Sequence, residues 1–335
     1  MIIQLEKNVS TEQRNRLAAL LSQHQIKVTP VTTSDNTYLV AVLSSDIDIR
    51  VVGNLPGVLD VHRVTDSYKL VSRKWKVDPT EIKLGDGVCI GENDFSVIAG
   101  PCSIESEQQI DQIVQHLVKN NVKIMRGGVY KPRSSPYAFR GLGIAGLKLF
   151  HASCQAHNIK IISEVMQVSQ IDDMIDYVDV FQVGARNAQN FNLLDALGRT
   201  AKPVMLKRGI SGTIDELLQS AEYVFSAGNE KIILCERGIR TFENAYRNTF
   251  DINAIPILKE KSHLPVIADP SHGIGIRSHV SKIALAAMVA GADGVMTEIH
   301  YEPEKALSDG QQTLNFEEFD QLVTQINKLK TAMLK

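Results

Sequence analysis

The chain has 335 residues, 44% hydrophobic and 22% charged, which is near the soluble globular norm and excludes a disordered or fibrous protein. Its 36 Lys and Arg against 38 Asp and Glu give a net charge of -2, which argues against nonspecific nucleic-acid binding and against a polybasic membrane anchor. No apolar run approaches the ~20 residues of a membrane helix, the first residues lack a signal-peptide pattern, and Cys89, Cys102, Cys154 and Cys235 have no CxxC spacing. A reduced, cytoplasmic protein with no membrane or nucleic-acid partner is expected.

Along the chain, residues 2–5 are apolar enough for a strand. Ser10 stands three residues before Gln13, a capping-box start for a helix carrying Leu17, Leu20 and Leu21. Residues 26–31 and 38–43 read as strands, 46–52 as a short helix and 58–64 as a strand. The order βαββαβ predicts a small ferredoxin-like domain over residues 1–70. As a pattern it suits a stabilising lid and a small-ligand sensor equally well. Residues 72–76 form a polar join, and Gly85-Asp86-Gly87 breaks 82–89 into a hairpin.

Eight apolar, β-rich runs follow, at 97–99, 122–125, 159–163, 180–183, 204–206, 232–234, 266–268 and 294–297. Helical stretches lie between them, for example 107–118, 213–225 and 278–290. Eight strand–helix units in about 260 residues predict a (β/α)8 TIM barrel for residues 71–335. Near-continuous apolar runs are what strands buried on both faces require. The rival doubly wound sheet is disfavoured, because no GxGxxG follows the first strand.

The residues just past each strand of such a barrel form its site. Six cations fall there: Arg126, Lys131, Arg133, Arg186, Lys207 and Arg237. Like charges gathered at ~4 Å repel by roughly 1 kcal/mol per pair even in water. Either local carboxylates compensate or anionic substrates do, and guanidinium forks suit phosphate and carboxylate alike. Gly127, Gly128, Gly209 and Gly238 beside them allow close backbone approach. A second group, Cys102, His272, Glu298 and Asp309, offers one thiol, one imidazole and two carboxylates. Singly, each has an ordinary structural reading. Together they suit a borderline divalent cation better than Mg or Ca.

Ile98-Ala99-Gly100-Pro101-Cys102-Ser103, Arg126-Gly127-Gly128 and Lys131-Pro132-Arg133-Ser134-Ser135-Pro136 closely resemble the 3-deoxy-D-arabino-heptulosonate 7-phosphate (DAHP) synthase family. So do Gly184-Ala185-Arg186-Asn187, Cys235-Glu236-Arg237-Gly238, Asp269-Pro270-Ser271-His272 and Lys305-Ala306-Leu307-Ser308-Asp309-Gly310. The resemblance is to the compact bacterial type with an N-terminal ferredoxin-like domain. It implies condensation of phosphoenolpyruvate with erythrose 4-phosphate, the first step of the shikimate pathway, by a metal-dependent transferase. It implies a metal, Mn first with Fe, Co and Zn as alternatives, held by Cys102, His272, Glu298 and Asp309. Phosphoenolpyruvate falls to Arg126, Lys131, Arg186, Lys207 and Arg237, and the aldose phosphate to Arg133 and Ser134. Lys131, Cys102 and His272 take the catalytic roles, with Glu164 and Glu236 as further candidates for proton traffic. Feedback control by tyrosine or phenylalanine through residues 1–70, and a homo-oligomer, a tetramer, are also implied. The alternative is the related 3-deoxy-D-manno-octulosonate 8-phosphate synthase, whose loop typically differs from Lys131-Pro132-Arg133. A Schiff-base aldolase using Lys207 or Lys131 is a rival of another class.

Overall fold

The computed structural model describes residues 1–23, 26–42, 48–132 and 135–333. The first unit runs β1 (Ile2–Leu5), α1 (Thr11–Gln23), β2 (Lys27–Thr32), β3 (Thr37–Val42), α2 (Ile49–Gly53) and β4 (Val58–His62). Its sheet has the order β2-β3-β1-β4 with every pairing antiparallel, the topology expected of a ferredoxin-like unit. The predicted capping box is present: the Gln13 amide donates to Ser10 Oγ (3.1 Å) and the Ser10 amide donates to Gln13 Oε1 (2.9 Å). The predicted ends of β3 at Leu43 and of the short helix at Asp46 lie outside the described residues.

β1 is buried on both sides, which accounts for its unbroken apolar reading. Ile3 and Leu5 pack with Leu17, Leu21 and Leu39 inside the unit, while Ile2 joins Val31, Tyr38 and Val64 against the rest of the chain. The Tyr38 ring meets Trp75 edge-on at 5.3 Å and Phe225 at 6.0 Å.

The join at 72–76, read as polar, is a packed strap. Trp75 is 8% exposed and Ser72 fully buried. The amides of Leu70 and Val71 donate to the Glu222 carboxylate (2.9 and 3.1 Å), and Trp75 Nε1 donates to Leu70 O (2.8 Å). His263, 2% exposed, lies between Leu70 O (2.9 Å from Nε2) and Thr80 Oγ1 (2.7 Å from Nδ1). A carbonyl only accepts, so Nε2 carries the proton and Nδ1 accepts from Thr80, which itself accepts from Lys76 Nζ. Burial, with Lys76 adding to it, pushes the His263 pKa down to about 3. The unfolded imidazole titrates near 6.5, so between pH 6.5 and 3 only the unfolded chain takes up this proton. Stability is therefore expected to be complete above pH 6.5 and to fall below it, by at most ~1.4 kcal/mol per pH unit from this group. Urea unfolding of the wild type and of His263→Gln at pH 7 and pH 5 checks this. The variant should show the flatter pH dependence, and equal slopes would refute it.

The second unit starts with a hairpin, β5 (Ile82–Gly85) and β6 (Val88–Ile90), then alternates strand and helix. The strands β7 (Ser96–Gly100), β8 (Ile124–Arg126), β9 (Lys160–Val165), β10 (Val180–Val183), β11 (Val204–Lys207), β12 (Ile232–Glu236), β13 (Val266–Ala268) and β14 (Gly294–Glu298) close a parallel barrel in chain order. β14 returns to β7 with Gly294 opposite Ser96. Between the strands lie α3 (Glu107–Lys119), α4 (Gly143–Gln155), α5 (Ile171–Met174), α6 (Phe191–Gly198), α7 (Ile214–Ser226), α8 (Ala254–Lys261), α9 (Pro270–Ile274) and α10 (Arg277–Val289), with α11 (Phe316–Met333) last. β8 begins two residues later than predicted, because Asn121 takes a left-handed turn (φ 53°) after α3.

The hairpin closes the barrel floor. Lys160, at the start of β9, pairs with Asp86 in the hairpin turn (2.7 Å), and Ile82 and Ile90 join the interior layer of Ile98, Ile124, Ile162 and Met205. The carboxyl end of the barrel opens into a cleft. The N-terminal unit contacts the opposite end, where Thr33 Oγ1 donates to Glu230 Oε1 (3.1 Å) just before β12.

Candidate active site

Alternation along each strand sets what reaches the open end. The interior layer holds Ile124, Ile162, Val180, Met205, Cys235, Ile267 and Met296. Two residues further on, the same parity gives Arg126, Glu164, Gln182, Lys207, Arg237, Asp269 and Glu298. The intervening Leu206 and Leu234 face the helices, so Arg208 and Glu236 do too. There Arg208 Nη1 bridges Glu236 Oε2 and Asp251 Oδ2, both at 2.8 Å, and the Gly238 amide donates to Glu236 Oε1 (2.6 Å). Burial pushes the Glu236 carboxyl up, opposed by Arg208. Glu236, a candidate for proton traffic, is thus a fully buried carboxylate behind the barrel wall and does not line the cleft.

The cleft at the open end encloses about 910 Å³ including its mouth. Arg126, Lys131, Arg186, Lys207 and Arg237 line it, as expected, together with Glu164. Arg133 and Ser134 lie outside the described residues. Lining residues that the sequence reading missed include Gln182, Arg240, Arg247 and Asn248. Both arginines come from the long connection between β12 and α8, and that length in a compact barrel was the available signal.

Local carboxylates compensate only part of the charge. Arg126 Nη1 lies 3.2 Å from Glu298 Oε1, Lys207 hydrogen-bonds Asp269, and Arg247 Nη1 lies 3.3 Å from Asp309 Oδ1. Among the described residues no carboxylate lies within 4 Å of the cationic nitrogens of Lys131, Arg186, Arg237 or Arg240. Burial pushes the Arg237 guanidinium below its ordinary range. The cleft therefore carries surplus positive charge in a partly desolvated space.

Glycines make room for two charged groups of the cleft. A Cβ on Gly184 would stand 2.0 Å from Glu164 Oε1, and one on Gly128 would stand 2.9 Å from Lys131 Cδ. A Cβ on Gly209 would meet nothing closer than 3.5 Å.

Cys102, His272, Glu298 and Asp309 meet beside these cations, with one ligand atom of each within 4.8 Å of all the others. Cys102 Sγ lies 3.3 Å from Asp309 Oδ2, and Lys131 Nζ lies 3.2 Å from Cys102 Sγ and 3.0 Å from Cys102 O. His272 is placed by α9, whose N-cap Asp269 accepts the His272 amide (3.1 Å). Asp269 Oδ2 also sits 2.8 Å from His272 Nδ1, which leaves Nε2 turned toward Glu298 Oε1 at 3.3 Å and Asp309 Oδ2 at 3.8 Å. Asp309 holds a left-handed backbone (φ 54°) that aims its side chain back at Cys102. Burial, with Glu298 adding to it, pushes the Cys102 thiol up to about 11. Burial also opposes ionisation of Asp309, yet Arg247 and His272 outweigh it and hold that carboxyl down to about 2.

This donor set fits a divalent transition ion. Its ligand atoms are buried or half-buried, mixed in softness and already convergent, and the histidine's far nitrogen lies beside the Asp269 carboxylate.

An eight-stranded barrel whose open end sets surplus guanidinium and ammonium groups beside four convergent ligands is an enzyme scaffold for small phosphorylated acids. Residues 74–335 match the DAHP synthetase I family, and the chain belongs to that family. It is 44% identical over 329 residues to the phospho-2-dehydro-3-deoxyheptonate aldolase of Thermotoga maritima, covering 98% of this chain and 95% of that protein. The crystal structure of the Thermotoga maritima aldolase superposes with a TM-score of 0.80 at 43% identity, over 99% of this chain and 97% of that one. A truncated form of the Thermotoga maritima synthase superposes at 0.75 with 46% identity, over 80% of this chain and 98% of its own. The 2-dehydro-3-deoxyphosphooctonate aldolase of Syntrophobacter fumaroxidans is 33% identical over 259 residues, covering 72% of this chain and 88% of that protein.

Proposed function

We propose that this chain condenses phosphoenolpyruvate with erythrose 4-phosphate and water, giving 3-deoxy-D-arabino-heptulosonate 7-phosphate and inorganic phosphate. The observation that carries this reading is the set of uncompensated cations lining one cleft with the four-ligand cluster. Family membership supplies the identity of the two anions. Arg126, Lys131, Arg186, Lys207 and Arg237 hold the carboxylate and phosphate of phosphoenolpyruvate, and Arg133 and Ser134 hold the aldose phosphate.

Cys102, His272, Glu298 and Asp309 would hold a divalent ion, Mn before Fe, Co or Zn, which when bound supplies Lewis-acid polarisation of a carbonyl oxygen. The chain's own side chains do the rest. The cations set two mutually repelling anions within reach, and their fixed positions cost no reorganisation when charge develops. The methylene carbon of phosphoenolpyruvate forms the new bond to the aldehyde carbon, the adjacent carbon takes up water, and phosphate leaves with cleavage of its C–O bond. Lys131 is in place to donate a proton to the former aldehyde oxygen or to orient the water, and Glu164 to receive the proton the water loses.

The first ~65 residues dock away from the cleft, so they do not cover their own barrel mouth. We read them as a regulatory unit for tyrosine or phenylalanine, acting between copies of a homotetramer in the cytoplasm. Among the described residues no helix is long and apolar enough to cross a membrane.

Phosphoenolpyruvate consumption measured with erythrose 4-phosphate and with arabinose 5-phosphate, each with and without chelator, tests the assignment. Turnover should require erythrose 4-phosphate and be lost on chelation. Preference for arabinose 5-phosphate would move the chain to the octulosonate relatives. Turnover that survives chelation and is trapped by borohydride would make it a Schiff-base aldolase.

A further inference from the structure

Arg247 and Gln312 touch the two carboxylates of the four-ligand cluster, and neither belongs to any of the motifs that carry the family resemblance. Gln312 is 0% exposed. Its amide nitrogen donates to Glu298 Oε2 at 2.6 Å, and its amide oxygen accepts from Arg247 Nη1. Arg247 in turn lies 3.3 Å from Asp309 Oδ1. Each carboxylate is thus split in function. Glu298 turns Oε1 to His272 and Arg126 and gives Oε2 to Gln312. Asp309 turns Oδ2 to Cys102 and His272 and gives Oδ1 to Arg247.

The amide orientation of Gln312 is fixed by this arrangement, because a carboxylate can only accept and a guanidinium can only donate. Reversing it would set oxygen against oxygen and N–H against N–H. The two carboxylates come from distant points in the chain, one at the end of β14 and one from the loop after it. The Arg247–Gln312 pair joins the outer oxygens of both, through two hydrogen bonds on the Glu298 side and an ion pair on the Asp309 side.

We infer that Arg247 and Gln312 act as one positioning unit that sets the orientation of the ligand carboxylates Glu298 and Asp309. Arg247 makes its contacts to Asp309 and Gln312 through Nη1 while its side chain also lines the cleft. The inference rests on the metal assignment made above, and its own content is the coupling of these two residues.

Mn²⁺ binding to the full-length protein, read as free Mn²⁺ by electron paramagnetic resonance, tests it without turnover. Loss of a group that orients metal ligands costs roughly 10- to 100-fold in affinity. Arg247→Met and Gln312→Met should each raise the Mn²⁺ dissociation constant by that factor. The double variant should be no weaker than the worse single one, because a unit broken once has nothing further to lose. Excess Mn²⁺ should restore the turnover of Arg247→Met, which a merely structural role would not predict. Arg247 is partly exposed, so its variants, including the charge-conserving Arg247→Lys, remain informative where Gln312→Met fails to fold. Single variants within twofold of wild type, or losses that multiply in the double variant, would overturn the inference. Absence of Mn²⁺ binding in the wild type would overturn the metal assignment instead.

Discussion

Replacing Cys102 with alanine is expected to remove nearly all turnover and leave the barrel folded. The thiol is 3% exposed and lies within hydrogen-bonding distance of both Asp309 and Lys131. Its loss takes the softest donor from a four-member set and removes the anchor for the Lys131 ammonium on the sulfur. Lewis-acid stabilisation is worth several kcal/mol in such sites, so kcat should fall by roughly 10³-fold or more. The stability cost is smaller, because a buried cysteine packs as a small hydrophobe and truncating it leaves only a small void. A shift of a few degrees in the melting temperature is the expected upper limit. Measured kcat at saturating Mn²⁺ beside a circular-dichroism melt separates the two effects. Cys102→Ser keeps a donor atom and should retain more activity than Cys102→Ala. Full activity of Cys102→Ala after exhaustive chelation would sink the ligand assignment.

The eight barrel strands were legible because each is short, apolar and buried on both faces, a signature independent of the rest of the chain. The candidate ligands and cations were read mostly from one rule, the residues just past each strand end, with Asp309 taken from the loop after β14. The rule lacked parity. Glu236 and Arg237 are neighbours at the end of β12, yet one faces the helices and the other the cleft, because Cys235 points inward and Leu234 outward. Counting in steps of two from the interior residues would have sorted them. Arg247 and Gln312 were beyond any such rule. They sit in long loops, and only the closed barrel sets the segment after β12 against the one after β14. The strap around Leu70 and Trp75 was misread for a related reason. Its lysines, arginine and serine look like a linker, and what buries Ser72 and Trp75 is supplied by α7 and by His263, far along the chain.

That strap decides where the two units can be separated. A cut before Lys74, at the apparent join, would remove the Leu70 and Val71 amides from Glu222 and the Leu70 carbonyl from His263 and Trp75. Burial already pushes the Glu222 carboxyl up, held back by those amides, so losing them strands a half-buried acid on α7. Each lost hydrogen bond to a charged group costs roughly 1.5–3 kcal/mol. A cut after Thr65 keeps the Asp66 contacts to Ser72 and Lys74 and removes the sheet, its two helices and the short segment after β4, with the Lys74–Thr65 hydrogen bond. The shorter truncation is therefore expected to be the more stable of the two by several kcal/mol in urea unfolding. Loss of Tyr38 uncovers Phe225 in both, so that exposure cancels in the comparison. The same pair of variants tests regulation. Full-length protein should be inhibited by tyrosine or phenylalanine, and the chain starting at Asp66 should keep its turnover and lose that response entirely. An effector that binds the closed arrangement a hundredfold more tightly contributes about 2.7 kcal/mol, enough to move a balanced equilibrium almost fully. The unit docks near Glu230, at the end of the barrel opposite the cleft. Any closure must therefore come from the corresponding unit of another copy. Inhibition should then fall away on dilution to the monomer, where a change transmitted within one chain would persist. A full-length enzyme insensitive to both amino acids would leave the N-terminal unit with the role of covering Phe225 alone.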